Sequence, residues 1–268
     1  MVTGSLPEDG ELQLGPVRLP AGRRIIPLDE DTDAPLPPVA WVTSQLVPDA
    51  GLVWSALSGV HHETGLVPVL LADEEDGDDF YFAYPEPVTQ VDPLDAGQLL
   101  AGMWHNQLPS DAENYPAWRR MRAPYFRQFP GLAPPEHDRL SMAQQHQTLG
   151  SRPAARLGLV PASRPADALP VTGWMPFDDH LPGLPNPVWI AAILRSWETR
   201  FGATLLHLGP GAVMQLLVER PPHHLAAAQP VAAEHHVFCD ECGGAGLREV
   251  SKIAAALINA PIWTFWWD

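Results

Sequence analysis

NPVWIAAILRSWETRFGATLLHLGPGAVMQLLV, residues 186–218, changes its hydrophobic period in the middle. Asn186 supplies a side-chain oxygen for the first free amides of a helix, and Pro187 sits where its missing N–H costs nothing. Ile190, Ile193, Leu194, Trp197 and Phe201 then fall on one face of a 3.6-residue repeat, and Gly202 provides the left-handed stop. Beyond it the apolar residues lose that spacing. Residues 203–208 and 213–219, joined across Gly209-Pro210-Gly211, predict a hairpin.

Working outward, helices are expected at residues 226–236, with Pro230 inside, and at 247–259. The chain closes on a strand at 261–267 that is apolar on both alternating faces except at Thr264, the pattern of a strand covered on both sides. Upstream, 157–161 and 169–173 read as strands. From residue 169 the order is strand, helix, strand, strand, helix pair, strand, which predicts a layer of helices on a small mixed sheet. The first half is less regular. Strands are expected at 11–14, 24–27, 39–46 and 66–71. A helix after Asp49 should carry Val53, Trp54 and Leu57 on one face. Another, from Asp92-Pro93 to Gln107, should bury Leu99, Leu100, Met103 and Trp104, and a third is expected over 136–148. The fold class is therefore α+β: a C-terminal small mixed sheet with helices packed on it, residues 151–268, preceded by an irregular, acidic, Pro-rich α+β half, residues 1–150.

The 268 residues suffice to bury a core, and 32 acids against 16 bases give a formal charge of −16. That field repels a polyanion, so nucleic-acid binding is not expected. The acidity is uneven: residues 1–150 carry a net −14 and residues 151–268 a net −2. No apolar run reaches the roughly 20 residues of a membrane span, and no leader is read at the N-terminus. With only Cys239 and Cys242 there is no disulfide framework, which places the chain in a reducing cytoplasm.

Two groups of residues invite chemistry. His235, Cys239 and Cys242 lie in an H-H-x-x-C-x-x-C run. Thiolates and imidazole suit zinc, and C-x-x-C lets two sulfurs meet one tetrahedral ion. A closed site wants further ligands from a second element, and no second cysteine pair exists, so a helix end with one buried cysteine is the plainer reading. No cofactor is otherwise expected. The second group is the run DEEDGDD at residues 73–79, in which Asp73, Glu74, Glu75, Asp76, Asp78 and Asp79 form a solvated tip suited to a basic protein surface. Asp29, Asp31 and Asp33 begin like a calcium loop, but Ala34 and Ala40 stand where Gly and Glu are required. His61-His62-Glu63 is half of a zincin motif without its second histidine. Arg119, Arg120, Arg122 and Arg127, mixed with Trp118, Tyr125, Phe126 and Phe129, form the one basic cluster and are expected to pair locally with acids. Asp268 is a candidate partner for Arg195 or Arg200.

LRSWETRFG at 194–202, VAAEH at 231–235 followed by Phe238-Cys239, and WTFWWD at 263–268 resemble the family known as domain of unknown function 4253. GLVPASRPAD at 158–167, leading to Gly173-Trp174, resembles the approach to that domain. Thr64-Gly65-Leu66 and FPGLA at 129–133 resemble parts of its longer actinobacterial members. The departure is at Cys239-Asp240-Glu241, where the family continues Cys-Pro-Asp. The resemblance implies a folded domain and no assigned activity. From the residues, the expected role is a non-enzymatic module (inhibitor, immunity-like factor or adaptor) whose acidic first half binds a basic protein. The alternative is a metal-assisted hydrolase using the cluster at 235–242.

Overall fold

The computed structural model describes residues 4–29, 32–72, 82, 85–107, 116–176, 186–209, 212–239, 241–242 and 248–267. The strands are β1 (Gly10–Leu14), β2 (Val17–Ile25), β3 (Ala40–Thr43), β4 (Leu66–Leu71), β5 (Arg156–Pro161), β6 (Ala203–Gly209), β7 (Val213–Val218), β8 (Glu241–Cys242) and β9 (Ile262–Trp266). They form one sheet in the order β1-β2-β3-β5-β4-β6-β7-β9-β8. β4 and β6 run parallel and the other neighbours antiparallel, so the sheet is mixed and the α+β class holds.

The helices are α1 (Ala50–Gly59), α2 (His61–Thr64), α3 (Ala96–Asn106), α4 (Pro116–Met121), α5 (Met142–Gly150), α6 (Ala168–Thr172), α7 (Pro187–Phe201), α8 (Leu225–Phe238) and α9 (Val250–Leu257). Leu100 and Trp104 of α3, Leu169 of α6, Trp197 of α7, Val231 of α8 and Ile253 of α9 pack on one sheet face. Trp54 and Leu57 of α1 and Leu149 of α5 cover part of the other. Strand alternation feeds both layers: in β4, Val67, Val69 and Leu71 join the first core, and Leu66 and Leu70 the second. This is why β4 reads as an unbroken apolar run.

The helix-to-hairpin segment folds as its period predicts. Asn186 accepts from the Trp189 amide at 2.9 Å, and Gly202 closes α7 at φ 61°. Elsewhere local contacts shift the boundaries. α3 begins at Ala96 because Asp95, not Asp92, caps it by accepting from Gln98 N at 2.8 Å. α5 begins at Met142 because Ser141 and Gln144 cap each other reciprocally. Asp49 holds the cap position of α1 in left-handed backbone, with no side-chain cap bond. Residues 168–172, expected as part of a strand, are helical: Thr172 Oγ1 donates to the Ala168 carbonyl at 2.8 Å and Gly173 ends the turn at φ 67°. Pro170 lacks the amide that a ladder would need. Among the described residues no helix is long and apolar enough to cross a membrane.

β4 lies between β5 and β6. It pairs along its whole length with β5, from Leu66↔Pro161 to Leu71↔Arg156, and with β6 at Leu70↔His207 and Leu71↔Leu208. The sheet thus runs through residue 150, and the strands on either side of β4 are both C-terminal to it. A fragment comprising residues 151–268 is expected to show no cooperative urea transition, while the full chain shows one; circular dichroism during urea titration checks this.

Candidate functional site

The end of α8 gathers the residues that carry most of the buried polarity. Glu234 is fully buried among aromatic rings. Its Oε1 accepts from Ala133 N at 2.7 Å and Arg200 Nη1 at 2.8 Å, and its Oε2 accepts from Trp197 Nε1 and Arg200 Nη2, both at 2.7 Å. Arg200 also donates to the Ala133 carbonyl at 2.9 Å and to Ser196 Oγ at 3.1 Å. α7 presents Trp197 and Arg200 together because they are three residues apart. The fork of Arg200 matches the carboxylate, and the donors around it saturate that carboxylate, which is what makes a buried charge tolerable. Glu234 stands in an otherwise apolar helix face, and that misfit was the available sequence signal. Arg200 therefore pairs with Glu234, and Arg195 with Asp167 at 2.6 Å and Asp92 at 2.8 Å; Asp268 lies outside the described residues.

His235 and His236 diverge, as neighbours on a helix must. The His235 ring lies 4.6 Å from Trp263, 4.8 Å from Phe265 and 4.9 Å from Trp197, centroid to centroid. Burial, helped by the Arg200 charge, lowers its pKa to about 3. Cys239 donates its thiol to the Trp266 carbonyl at 3.1 Å, and Cys242 lies in β8 opposite Phe265. Among the described residues no three His, Cys, Asp or Glu side chains are grouped to hold a metal ion.

His236 faces the other way, toward Trp104 of α3, with ring centroids 5.8 Å apart. Its Nδ1–H donates to the Arg248 carbonyl at 2.8 Å, which fixes the tautomer, and burial with the nearby Arg122 charge lowers its pKa to about 4. Arg122, just past α4, is wholly buried, with Cζ 4.4 Å from the Trp104 ring and 5.3 Å from that of Trp118. It donates to the Trp104 carbonyl at 2.5 Å and, weakly, to Gln107 Oε1 at 3.4 Å. Burial lowers its pKa to about 10, so it stays charged at neutrality. The expected local pairing holds for Arg120, 3.7 Å from Glu249; Arg122 instead uses aromatic faces and carbonyl oxygens.

A cavity of about 290 Å³ opens on the other sheet face, between α1, α5 and the strands β6 and β7. Trp54, Ser58, His61, Gln145, Thr204 and Glu219 are among its walls. Its place follows from Pro68, which has no amide hydrogen and whose carbonyl is taken by Trp54 Nε1 at 2.8 Å, so the β4–β6 ladder cannot extend toward the strand starts. His61, from the incomplete zincin motif, donates Nε2–H to the Ala162 carbonyl at 2.9 Å, while His62 and Glu63 are exposed and 3.5 Å apart. Of the aspartates resembling a calcium loop, Asp29 accepts from Thr32 N and Oγ1 through its side chain and from Asp33 N through its carbonyl, and Asp31 lies outside the described residues. The acidic residues Asp73, Glu74, Glu75, Asp76, Asp78 and Asp79 lie outside the described residues.

Residues 156–268 match the family model for the domain of unknown function DUF4253. No curated protein and no solved structure matches the chain. The DUF4253 segment holds Trp197, Arg200, Glu234, His235, Trp263 and Phe265, so the aromatic core around the buried carboxylate belongs to it. Arg122, Trp104 and the α1 wall of the cavity lie before it.

Glu234→Ala leaves Arg200 charged and unpaired in the core, and should lower unfolding stability by about 3–5 kcal/mol. Replacing both partners together with Leu and Met should cost less than that single change. Urea titration of the three chains measures both effects. A second expectation concerns His207 of β6, whose pKa burial and the nearby Arg152 lower to about 4 from an ordinary 6.5. Between those values the unfolded chain alone takes up the proton, so stability falls as pH falls from 6.5 toward 4 and is unaffected above it. His207→Gln should reduce that slope by one proton, on the order of 1 kcal/mol per pH unit.

Proposed function

We propose that the protein is a non-enzymatic binding module, an inhibitor, immunity-like factor or adaptor, whose acidic N-terminal half engages a basic protein. The observation that carries this reading is the net −14 of residues 1–150, set against −2 for the remainder. Some of the bases of that half are held internally. Arg18 binds Glu11, Arg24 binds Glu8 and Asp9, and Arg122 is buried. Asp33 and Asp49 remain exposed, and Asp73, Glu74, Glu75, Asp76, Asp78 and Asp79 add the densest run of negative charge. Surplus surface charge of one sign speeds and selects encounters with an oppositely charged partner. The same field argues against a nucleic acid, and the two cysteines are consistent with a reducing cytoplasm. The metal-assisted hydrolase reading gains nothing from His235, which is enclosed by aromatic rings rather than facing an open coordination position.

The test is a binding titration with the partner captured from native lysate at low salt. Changing the six acids of residues 73–79 to Asn and Gln should weaken that binding and flatten its dependence on ionic strength. Equal affinity and equal salt dependence in the two chains would remove the acidic run from the interface.

A further inference from the structure

Three side chains where α3, the end of α4 and α8 meet each carry a buried polar atom with no hydrogen-bond partner among the described residues: Arg122 Nε, Trp104 Nε1 and His236 Nε2. All three residues are at least nine-tenths buried. They are also contiguous, since the Arg122 guanidinium stacks on Trp104 at 4.4 Å and the Trp104 and His236 rings meet edge to face at 5.8 Å. Buried polar atoms are nearly always satisfied, so three orphans in one cluster ask for an explanation. The charge asks for one too. Arg200 in the same protein has a bidentate carboxylate, whereas Arg122 has two aromatic faces, one short bond to a carbonyl and one long contact to an amide oxygen. Among the described residues no carboxylate pairs with that guanidinium.

The orphaned atoms define the chemistry of what would fit. Arg122 Nε–H and Trp104 Nε1–H are donors. His236 spends its Nδ1–H on the Arg248 carbonyl, so its free Nε2 is an acceptor. Two donors and a cation suit the oxygens of an anion, and the acceptor suits a hydroxyl on that same anion. We propose that Arg122, Trp104 and His236 form a buried site for a small oxyanion that also carries an O–H, of which inorganic phosphate is the simplest case. Chloride and sulfate satisfy the donors but have no hydrogen to give His236. Occupancy would tie the three helical segments together, because Gln107 at the end of α3 already links Arg122 to the Val237 carbonyl of α8 at 3.0 Å.

Isothermal titration of the full-length protein at neutral pH, with phosphate, sulfate and chloride at matched ionic strength, tests this. One saturable phosphate site per chain is expected, with sulfate at least tenfold weaker and chloride without saturable binding. Arg122→Met should abolish the phosphate site. Trp104→Phe keeps an aromatic ring but loses the pyrrole part of the indole with its N–H, and should weaken phosphate about tenfold. His236→Phe should erase the preference for phosphate over sulfate. These two variants, which keep an aromatic side chain at each position, decide the matter if Arg122→Met does not fold by circular dichroism. No phosphate binding, equal binding of phosphate and sulfate by the wild type, or wild-type phosphate affinity in Trp104→Phe would overturn the proposal.

Discussion

β4 contributes only six residues, Leu66–Leu71, yet it stands between β5 and β6 and touches the cores on both sides of the sheet. Its antiparallel edge to β5 is complete and its parallel edge to β6 is confined to two residue pairs. The DUF4253 segment begins at β5, so the strand that bridges its first and second strands comes from outside it. Without β4, β5 and β6 would each present an unpaired edge inside the molecule, and buried backbone groups do not stay unpaired. The cavity against α1 is the other side of the same arrangement. Pro68 stops the ladder, the strands part, and polar groups line the gap.

The interior treats its two buried arginines in opposite ways. Arg200 forks onto Glu234, whose oxygens are further satisfied by Trp197 and the Ala133 amide, joining α7, α8 and the loop at residue 133 in one network. The network sits against His235, Trp263 and Phe265, which pack edge to face and offset rather than as a loose apolar mass. Arg122 is held by aromatic faces and carbonyl oxygens, and among the described residues no carboxylate pairs with it. A saturated network gives rigidity and a unique packing. An unsaturated one of similar burial has room in its bonding for something more.

Much of the DUF4253 half was legible from residue order, because α7 and the β6–β7 hairpin obey strong local rules: Asn186 caps, Gly202 stops, and the apolar period changes between them. Glu234 and Arg200 were visible as residues but not as a pair, since 34 positions separate them and nothing local links a helix end to the next helix. His235 and Cys239 had the spacing of metal ligands. Their side chains leave α8 toward aromatic rings and a strand carbonyl, and that direction depends on what packs against the helix. Residues 168–172 show the same limit in secondary structure, where a Leu-Pro-Val-Thr stretch with strand-like composition is wound into a turn of helix by Gly173 and by the back-bond of Thr172.

By itself the sequence determined the acidic surplus of the first half, the α+β class, and the elements whose caps and periods lie within a few residues of one another. Those are properties of composition and short-range geometry, which no distant contact needs to supply. Tertiary structure alone decided that β4 is inserted between β5 and β6, that Glu234 neutralises Arg200, and that Arg122, Trp104 and His236 share a cluster. Each of these joins residues far apart in the chain, and pairing of that kind is selected by which buried groups satisfy one another once the layers close.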